Sequence, residues 1–343
     1  MKEADQPCVT ISALRRWYDA GLLNHEAFHA AARVVRPAAE WHAWVQRVLL
    51  MVGSALILAG MMFFFAANWA AMGKFVKFVL IESGMAFCCL AAIWRGLGTS
   101  AGKVLLLCAS VQVGILLAVY GQTYQTGADA YELFVGWLVL ILGWTLLGNF
   151  AGLWFLLLVL ANAGTILYWD QALSMSFPRR DDALLDMLLL ALALLNGGAL
   201  ALREAGLRGG RVWLGGTWLR PVLLTALLTC VTWPILMMAS DWMWMPPHQS
   251  MAGWIAAWLA VVAGGYYCYR RIIRDMTALA LIVADVCVVV LTHIGDRLSD
   301  SILMSHEASA FLLFGFLILV IVTMAALWLR KTGAQMAAEA GEA

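Results

Sequence analysis

Apolar and polar positions in this chain alternate on the scale of whole helices. Between residues 48 and 329 ten mainly apolar runs can be marked, at approximately 48–67, 75–94, 103–122, 131–148, 150–168, 183–202, 219–239, 251–269, 276–294 and 308–329. A helix rises 1.5 Å per residue, so about 20 apolar residues cross a hydrocarbon layer of about 30 Å. Lipid offers no hydrogen bonds to the backbone, and a helix satisfies its peptide groups internally. The pattern therefore predicts an all-α polytopic bundle of ten transmembrane helices over 48–329. Most connections are short, which makes neighbours antiparallel, and the link at Gly148-Asn149 is tight enough to force the fourth and fifth helices into a hairpin.

The flanks follow other rules. In 1–47, Leu14, Trp17 and Tyr18 fall at helical spacing, Gly21 is placed to end that helix, and Asn24 to cap a second one through Phe28 to Val35. Pro37 stops it, and Trp41 and Trp44 suit the membrane interface leading inward. This predicts a short cytosolic helical hairpin, either a docking module or an amphipathic element resting on the membrane surface. Residues 330–343 are expected to be a disordered cytosolic tail.

Composition agrees with the pattern. Of 343 residues 63% are hydrophobic and 13% charged, against about 45–50% and about 25% in an ordinary globular domain. The net charge of +1 says nothing about nucleic acid, and with no dense Lys/Arg block no nucleic-acid partner is expected. Ten crossings place both termini on one side. Of the 22 basic residues only Lys74, Lys77, Arg179, Arg180 and Arg297 fall on the other side. By the positive-inside rule both termini are expected in the cytoplasm. The first 47 residues carry acids and lack a short apolar core before a cleavage site, so the first spanning helix is expected to act as the insertion signal. The seven cysteines show no paired ligand spacing, and no disulfide, metal or other cofactor is expected.

Candidate chemistry lies in polar residues within the apolar runs. Glu82 in the second run and Asp285 in the ninth are ionisable groups at depths where a carboxylate costs about 2.5–3.5 kcal/mol. Asp285, Thr292 and Asp296 share one helical stripe, with His293 close to its outer end. Glu82, Asp285, Thr292 and His293 are thus candidates for a polar path; the alternative is that each acid hydrogen-bonds to a neighbouring helix. Gln112, Asn162 and Asn196 fit polar contacts between helices. Pro234 frees a carbonyl near Cys230, with Thr225, Thr229 and Thr232 available to bond locally. Arg208, Arg211 and Arg220, beside Gly209-Gly210 and Gly215-Gly216, suit either lipid headgroups or a flexible basic loop. No nucleophile elbow, phosphate loop or zinc-protease motif is present, and the chain is expected not to be an enzyme.

The most polar and aromatic stretch is Tyr120–Trp137. Asp129 and Glu132 have capping-box spacing and Gly127 can end the preceding helix. If that helix extends outward, Gln122, Gln125 and Asp129 share a face, with Tyr120 and Tyr124 on another.

Phe-Phe-Ala-Ala-Asn-Trp at 64–69 and Gly-Gln-Thr-Tyr-Gln-Thr-Gly-Ala-Asp at 121–129, followed by Leu133, Phe134 and Trp137, resemble the bacterial membrane family known as domain of unknown function 2157, over roughly residues 10–150. The resemblance gives Asn68, Trp69, Gln122, Tyr124, Asp129 and Trp137 as motif positions. It implies an inner-membrane protein often accompanied by a second small membrane protein with a Gly-Asp-Tyr motif, and it implies no activity. The chain departs from the family pattern at Leu142-Gly143-Trp144, where a proline is expected. The first expectation is a transporter or permease whose path is lined by intramembrane acids; the alternative, ranked after it, is a non-enzymatic assembly or sensing subunit of a membrane complex. A lipid-modifying enzyme is a third, weakened by the absence of histidines near Asp129, Asp170 and Asp241. Beyond the lipid bilayer, the expected partners are that second membrane protein and a small-molecule substrate of unknown class.

Overall fold

A computed structural model describes residues 11–35, 67–173, 182–239, 251–302 and 307–341, with individual positions between 45 and 63. The chain divides into two compact units, Met1–Lys77 and Phe78–Ala343. Among the described residues the protein is all-α, with no strand.

In the first unit, α1 (Ile11–Asp19) and α2 (His25–Val35) form the expected hairpin. Gly21 takes the left-handed conformation, φ 73°, that lets a helix terminate. Its N–H bonds to the Tyr18 carbonyl and that of Leu22 to the Trp17 carbonyl, each at 2.9 Å. Asn24 Oδ1 accepts from the Ala27 N–H at 2.7 Å and caps α2. Tyr18 packs on Phe28 with ring centroids 5.1 Å apart, over a buried Leu14. The expected first span, 48–67, lies largely outside the described residues; the positions described there are helical. After it the Asn68 carbonyl accepts from the N–H groups of Ala71 and Met72 in a turn, and the Lys77 ammonium lies 4.9 Å from the centre of the Trp69 ring.

Nine helices among the described residues are long and apolar enough to cross a membrane. They are α3 (Lys74–Arg95), α4 (Ser100–Tyr124), α5 (Ala130–Gly148), α6 (Ala151–Tyr168, continued by a π-helical turn at Trp169–Leu173), α7 (Asp182–Arg208), α8 (Leu219–Ala239), α9 (Met251–Tyr267, continued by a π turn at Cys268–Ile272), α10 (Met276–Ile302) and α11 (Glu307–Gly341). They correspond to the second through tenth apolar runs. Packing follows chain order through α4, α5, α6, α7 and α8; α8 then packs on α10 as well as on α9, and α10 on α11. The core gathers on α7, α8 and α10, where Leu200, Leu223, Leu224, Leu279 and Ile282 are buried together. In α8, 44% of the spanning window is buried, against none in α11, so α8 is central and α11 peripheral.

Small residues set the close approaches. The Trp137 indole of α5 lies on Gly114 of α4, where a Cβ would meet ring atoms at 2.4 Å, and its Nε1 donates to the Ser110 carbonyl at 2.7 Å. Asn149 ends α5 in the left-handed conformation, φ 42°, and Phe150 is extended, so α6 begins within two residues. The fourth and fifth runs are indeed two helices in a tight hairpin.

Two local expectations are corrected. Asp129 sits at the N-cap of α5 without a side-chain hydrogen bond, so its spacing with Glu132 does not make a capping box. Instead Gln171 Oε1, from the π turn after α6, accepts from the Tyr131 N–H at 3.3 Å. The segment 330–341, expected to be disordered, is the last part of α11, held by buried Thr332 and Met336 and by the ion pair of Arg270 with Glu339 at 2.8 Å.

Substituting Gly114 by Ala should lower stability by about 1–3 kcal/mol, since the Trp137 ring has to move off a packed helix. Gly143, whose Cβ would meet nothing within 4 Å, is the control, and Gly143→Ala should not destabilise. Unfolding midpoints in detergent micelles compare the two.

Candidate functional site

Several polar groups inside the second unit bond from helix to helix. The densest arrangement surrounds α9. Trp254 and Trp258 lie one turn apart on one face of that helix. Trp258 Nε1 donates to Asp285 Oδ2 of α10 at 2.8 Å, and Thr232 Oγ1 of α8 donates to Asp285 Oδ1, also at 2.8 Å. Each carboxylate oxygen thus receives a donor from a different helix. One turn away Trp254 Nε1 donates to Asp186 Oδ1 of α7 at 2.7 Å. An open recess of about 250 Å³ between α7 and α9 is lined by Asp186, Met187, Leu190, Gly253, Trp254 and Ala257; Asp285 is not among its walls. Two residues along α8 from Thr232 is Pro234. Thr229 Oγ1 donates to the Thr225 carbonyl at 2.8 Å, whereas the Thr232 hydroxyl serves Asp285 and not the backbone that the proline frees.

A second polar contact joins α6 and α7. Asn162 and Asn196 donate to each other's side-chain oxygens at 3.3 and 2.8 Å, and each also donates to the carbonyl four residues earlier in its own helix. Between α3 and α4, Gln112 Nε2 donates to Cys88 Sγ at 3.4 Å, and its Oε1 lies over Gly84.

The candidates for a polar path are not brought together. Glu82 is exposed on α3, which packs on α4 through Gly84, Cys88 and Phe78. The bonds of Asp285 run instead to α8 and α9. Thr292 Oγ1 bonds back to the Val288 carbonyl of its own helix at 2.9 Å, and His293 is exposed. In the polar-aromatic stretch, α4 ends at Tyr124, with Gln125 in the left-handed conformation, φ 45°. The cap is therefore Gln125 and not Gly127, and the single face expected for Gln122, Gln125 and Asp129 does not form; all three are exposed in or after the last turn. Tyr124 stacks on Phe78, with centroids 6.1 Å apart, and on Tyr120.

The sequence reading missed Asp186, Trp254 and Trp258. Their signals were present: an acid one turn inside an apolar run, and two indoles at i, i+4. It also missed an ionic network where α7 ends and α8 and α10 begin. Arg203 donates to Glu204 at 2.6 Å and to the Gly216 carbonyl at 3.1 Å. Arg220 donates to both oxygens of Glu204 and to Asp275, which also caps α10 through the Ala278 N–H at 2.9 Å. Arg220, which the sequence suited either to lipid headgroups or to a flexible basic loop, is committed to this network, and its guanidinium lies 5.7 Å from the centre of the buried Tyr269 ring. Arg270 donates to both oxygens of Glu339 at 3.1 and 2.8 Å. Those hydrogen bonds hold the Glu339 carboxyl below the ordinary glutamate range, helped by the positive field of Arg270, Arg271 and Arg274. No group of three or more metal-ligating side chains is present among the described residues.

This fold is that of a multi-pass α-helical membrane protein whose intramembrane polar groups join helices. Residues 15–154 match the family model described as predicted membrane protein (DUF2157), which confirms the resemblance carried by the motifs at 64–69 and 121–129. No curated protein and no solved structure matches the chain.

Asp285→Ala leaves the Thr232 hydroxyl and the Trp258 N–H without their acceptor and should cost about 1–3 kcal/mol, with Asp285→Asn costing less. Trp258→Phe combined with Asp285→Ala should be less than additive in a detergent unfolding cycle. The Arg270–Glu339 pair carries a pH signature. Because the folded value of Glu339 is depressed, its stabilisation is complete above the unfolded value of about 4.3 and is lost as pH falls through the lower folded value. Amide protection of residues 332–341, corrected for intrinsic exchange, should drop below about pH 4, and Glu339→Gln should remove that dependence.

Proposed function

We propose that this chain is a non-enzymatic assembly or sensing subunit of a complex in the bacterial inner membrane, with both termini cytoplasmic. One observation carries the reading: Asp285 and the asparagines within the bundle are engaged between helices. Both oxygens of Asp285 are occupied by Thr232 and Trp258, and Asn162 and Asn196 bond each other. Such bonds fix the packing of a scaffold. A permease built on intramembrane acids calls for Glu82 and Asp285 on a common aqueous path, and Asp285 has its bonding partners on α8 and α9 while Glu82 lies exposed on α3.

The surface that meets the partner is the N-terminal hairpin, whose Trp17 and Leu22 are exposed at 43% and 74%. Large apolar side chains on a short water-facing element favour an interaction role. The partner implied by the family resemblance is a second small membrane protein with a Gly-Asp-Tyr motif. The placement of the termini rests on the charge bias, with five of 22 basic residues on the outer side.

Deletion of residues 1–36 should remove most of a specific co-purifying membrane protein while the chain still inserts, whereas Asp285→Asn should leave it bound. Affinity purification from native membranes, quantified by mass spectrometry, makes the comparison. Equal recovery with the truncated chain sinks the proposal, and a solute flux abolished by Asp285→Asn in an inserted protein restores the carrier.

A further inference from the structure

The end of the second unit that carries the ionic network has an uneven division of charge. The Arg220–Asp275 pair brings the α7–α8 connection beside the start of α10, and the Arg270–Glu339 pair brings the last turns of α11 to the same end. Among the described residues of α7 to α11 at this end the acids are Glu204, Asp275 and Glu339, and each is held by Arg203, Arg220 or Arg270. The remaining basic side chains, Arg208, Arg211, Arg271, Arg274, Arg330 and Lys331, are exposed and form no ion pair among the described residues.

Their depth identifies what they meet. The spanning windows run Leu184–Arg208, Leu219–Met237, Met251–Ile272 and Met276–Arg297, so Arg208, Arg211, Arg271 and Arg274 lie at the ends of those windows or within three residues of them. The window Leu312–Met336 has 25 residues, more than the about 20 that hydrocarbon requires, which lets Arg330 and Lys331 reach the same level. Exposed Val212 and Trp218, in the connection that carries Arg211, add apolar and amphipathic surface of the kind found at a membrane interface. Long basic side chains at that height reach phosphate oxygens while their stems lie along apolar surface.

We propose that this end of the bundle binds anionic phospholipid headgroups, with the exposed arginines of the α7–α8 and α10-leading turns as the contact residues. The paired arginines serve a different purpose from the exposed cations: they neutralise Glu204, Asp275 and Glu339, the described acids at this end, and leave the excess charge there positive. The inference does not depend on the proposed partner or on which side of the membrane this end occupies.

The test reconstitutes the full chain in phosphatidylcholine vesicles containing a minor fraction of phosphatidylglycerol and measures the ratio of the two lipids retained on the protein after detergent extraction. Retained lipid should be enriched in phosphatidylglycerol by about fivefold or more over the vesicle, less so at high salt. The variant with Arg208, Arg211, Arg271 and Arg274 each changed to Gln should lose the enrichment, the corresponding Lys variant should keep it, and both should match the unfolding midpoint of the parent. Arg297→Gln, at the opposite end, should change nothing. A parent ratio equal to the vesicle composition overturns the proposal, as does a Gln variant that retains phosphatidylglycerol as well as the parent. A salt-sensitive complex with an acidic protein, found without any lipid preference, overturns it in favour of a protein ligand.

Discussion

Helices in a bilayer gain little by burying apolar surface, because the lipid chains they displace are as apolar as they are; close packing and hydrogen bonds between helices hold them instead. The second unit is organised by that constraint. Several interfaces have either a glycine under a large side chain, as with Gly114 beneath Trp137, or a polar bond, as with Asn162 to Asn196 and Thr232 to Asp285. The central helix α8 takes part in both the Asp285 bonds and the ionic network. An acid buried among donors differs in kind from an acid awaiting a substrate. The first specifies which helices meet, and its energy is realised on folding, at an average of about 0.6 kcal/mol for such bonds in membranes.

Two dielectric regimes divide the work. Near mid-membrane the partners are neutral or single acids: two asparagines, a threonine and the Trp258 indole. The ion pairs of Arg203, Arg220 and Arg270 lie at one end, where the headgroup region and water reduce the desolvation penalty that makes buried pairs poor sources of stability. Arg220 links Glu204 of α7 to Asp275 at the head of α10, so three helix termini are tied at the level where charges are tolerated. The indole of Trp258 and the hydroxyl of Thr232 meet a carboxylate deeper in, where a second charge would be harder to accommodate.

Much of the architecture was legible in the sequence, because helix length against bilayer thickness is a one-dimensional rule. The nine described spans fall where the apolar runs place them, and the Gly21 and Asn24 caps are local geometry that short sequence windows contain. The site was less legible. Asp285 stood out as an intramembrane acid, but its donors come from residues 53 and 27 positions earlier, and nothing in a single helix indicates which others will face it. Asp186 was overlooked because it lies near the start of an apolar run, where acids are common. Asp129 and Glu132 show the converse: their spacing fits a capping box, yet the donor was satisfied from elsewhere by Gln171. The polar tail was misjudged for a related reason, since the ordering of residues 330–341 depends on Arg270, far away in sequence.

The two-residue link between α5 and α6 bears on how the chain enters the membrane. With Asn149 turning and Phe150 already extended, there is no length of chain between these helices that could be held back on one side while the first waits in the lipid. A helix of 19 residues spans about 28 Å at 1.5 Å per residue, barely the thickness of the hydrocarbon. The pair can therefore cross only as an antiparallel hairpin, its two outer ends on the same side of the bilayer, so the orientation of either helix fixes that of the other.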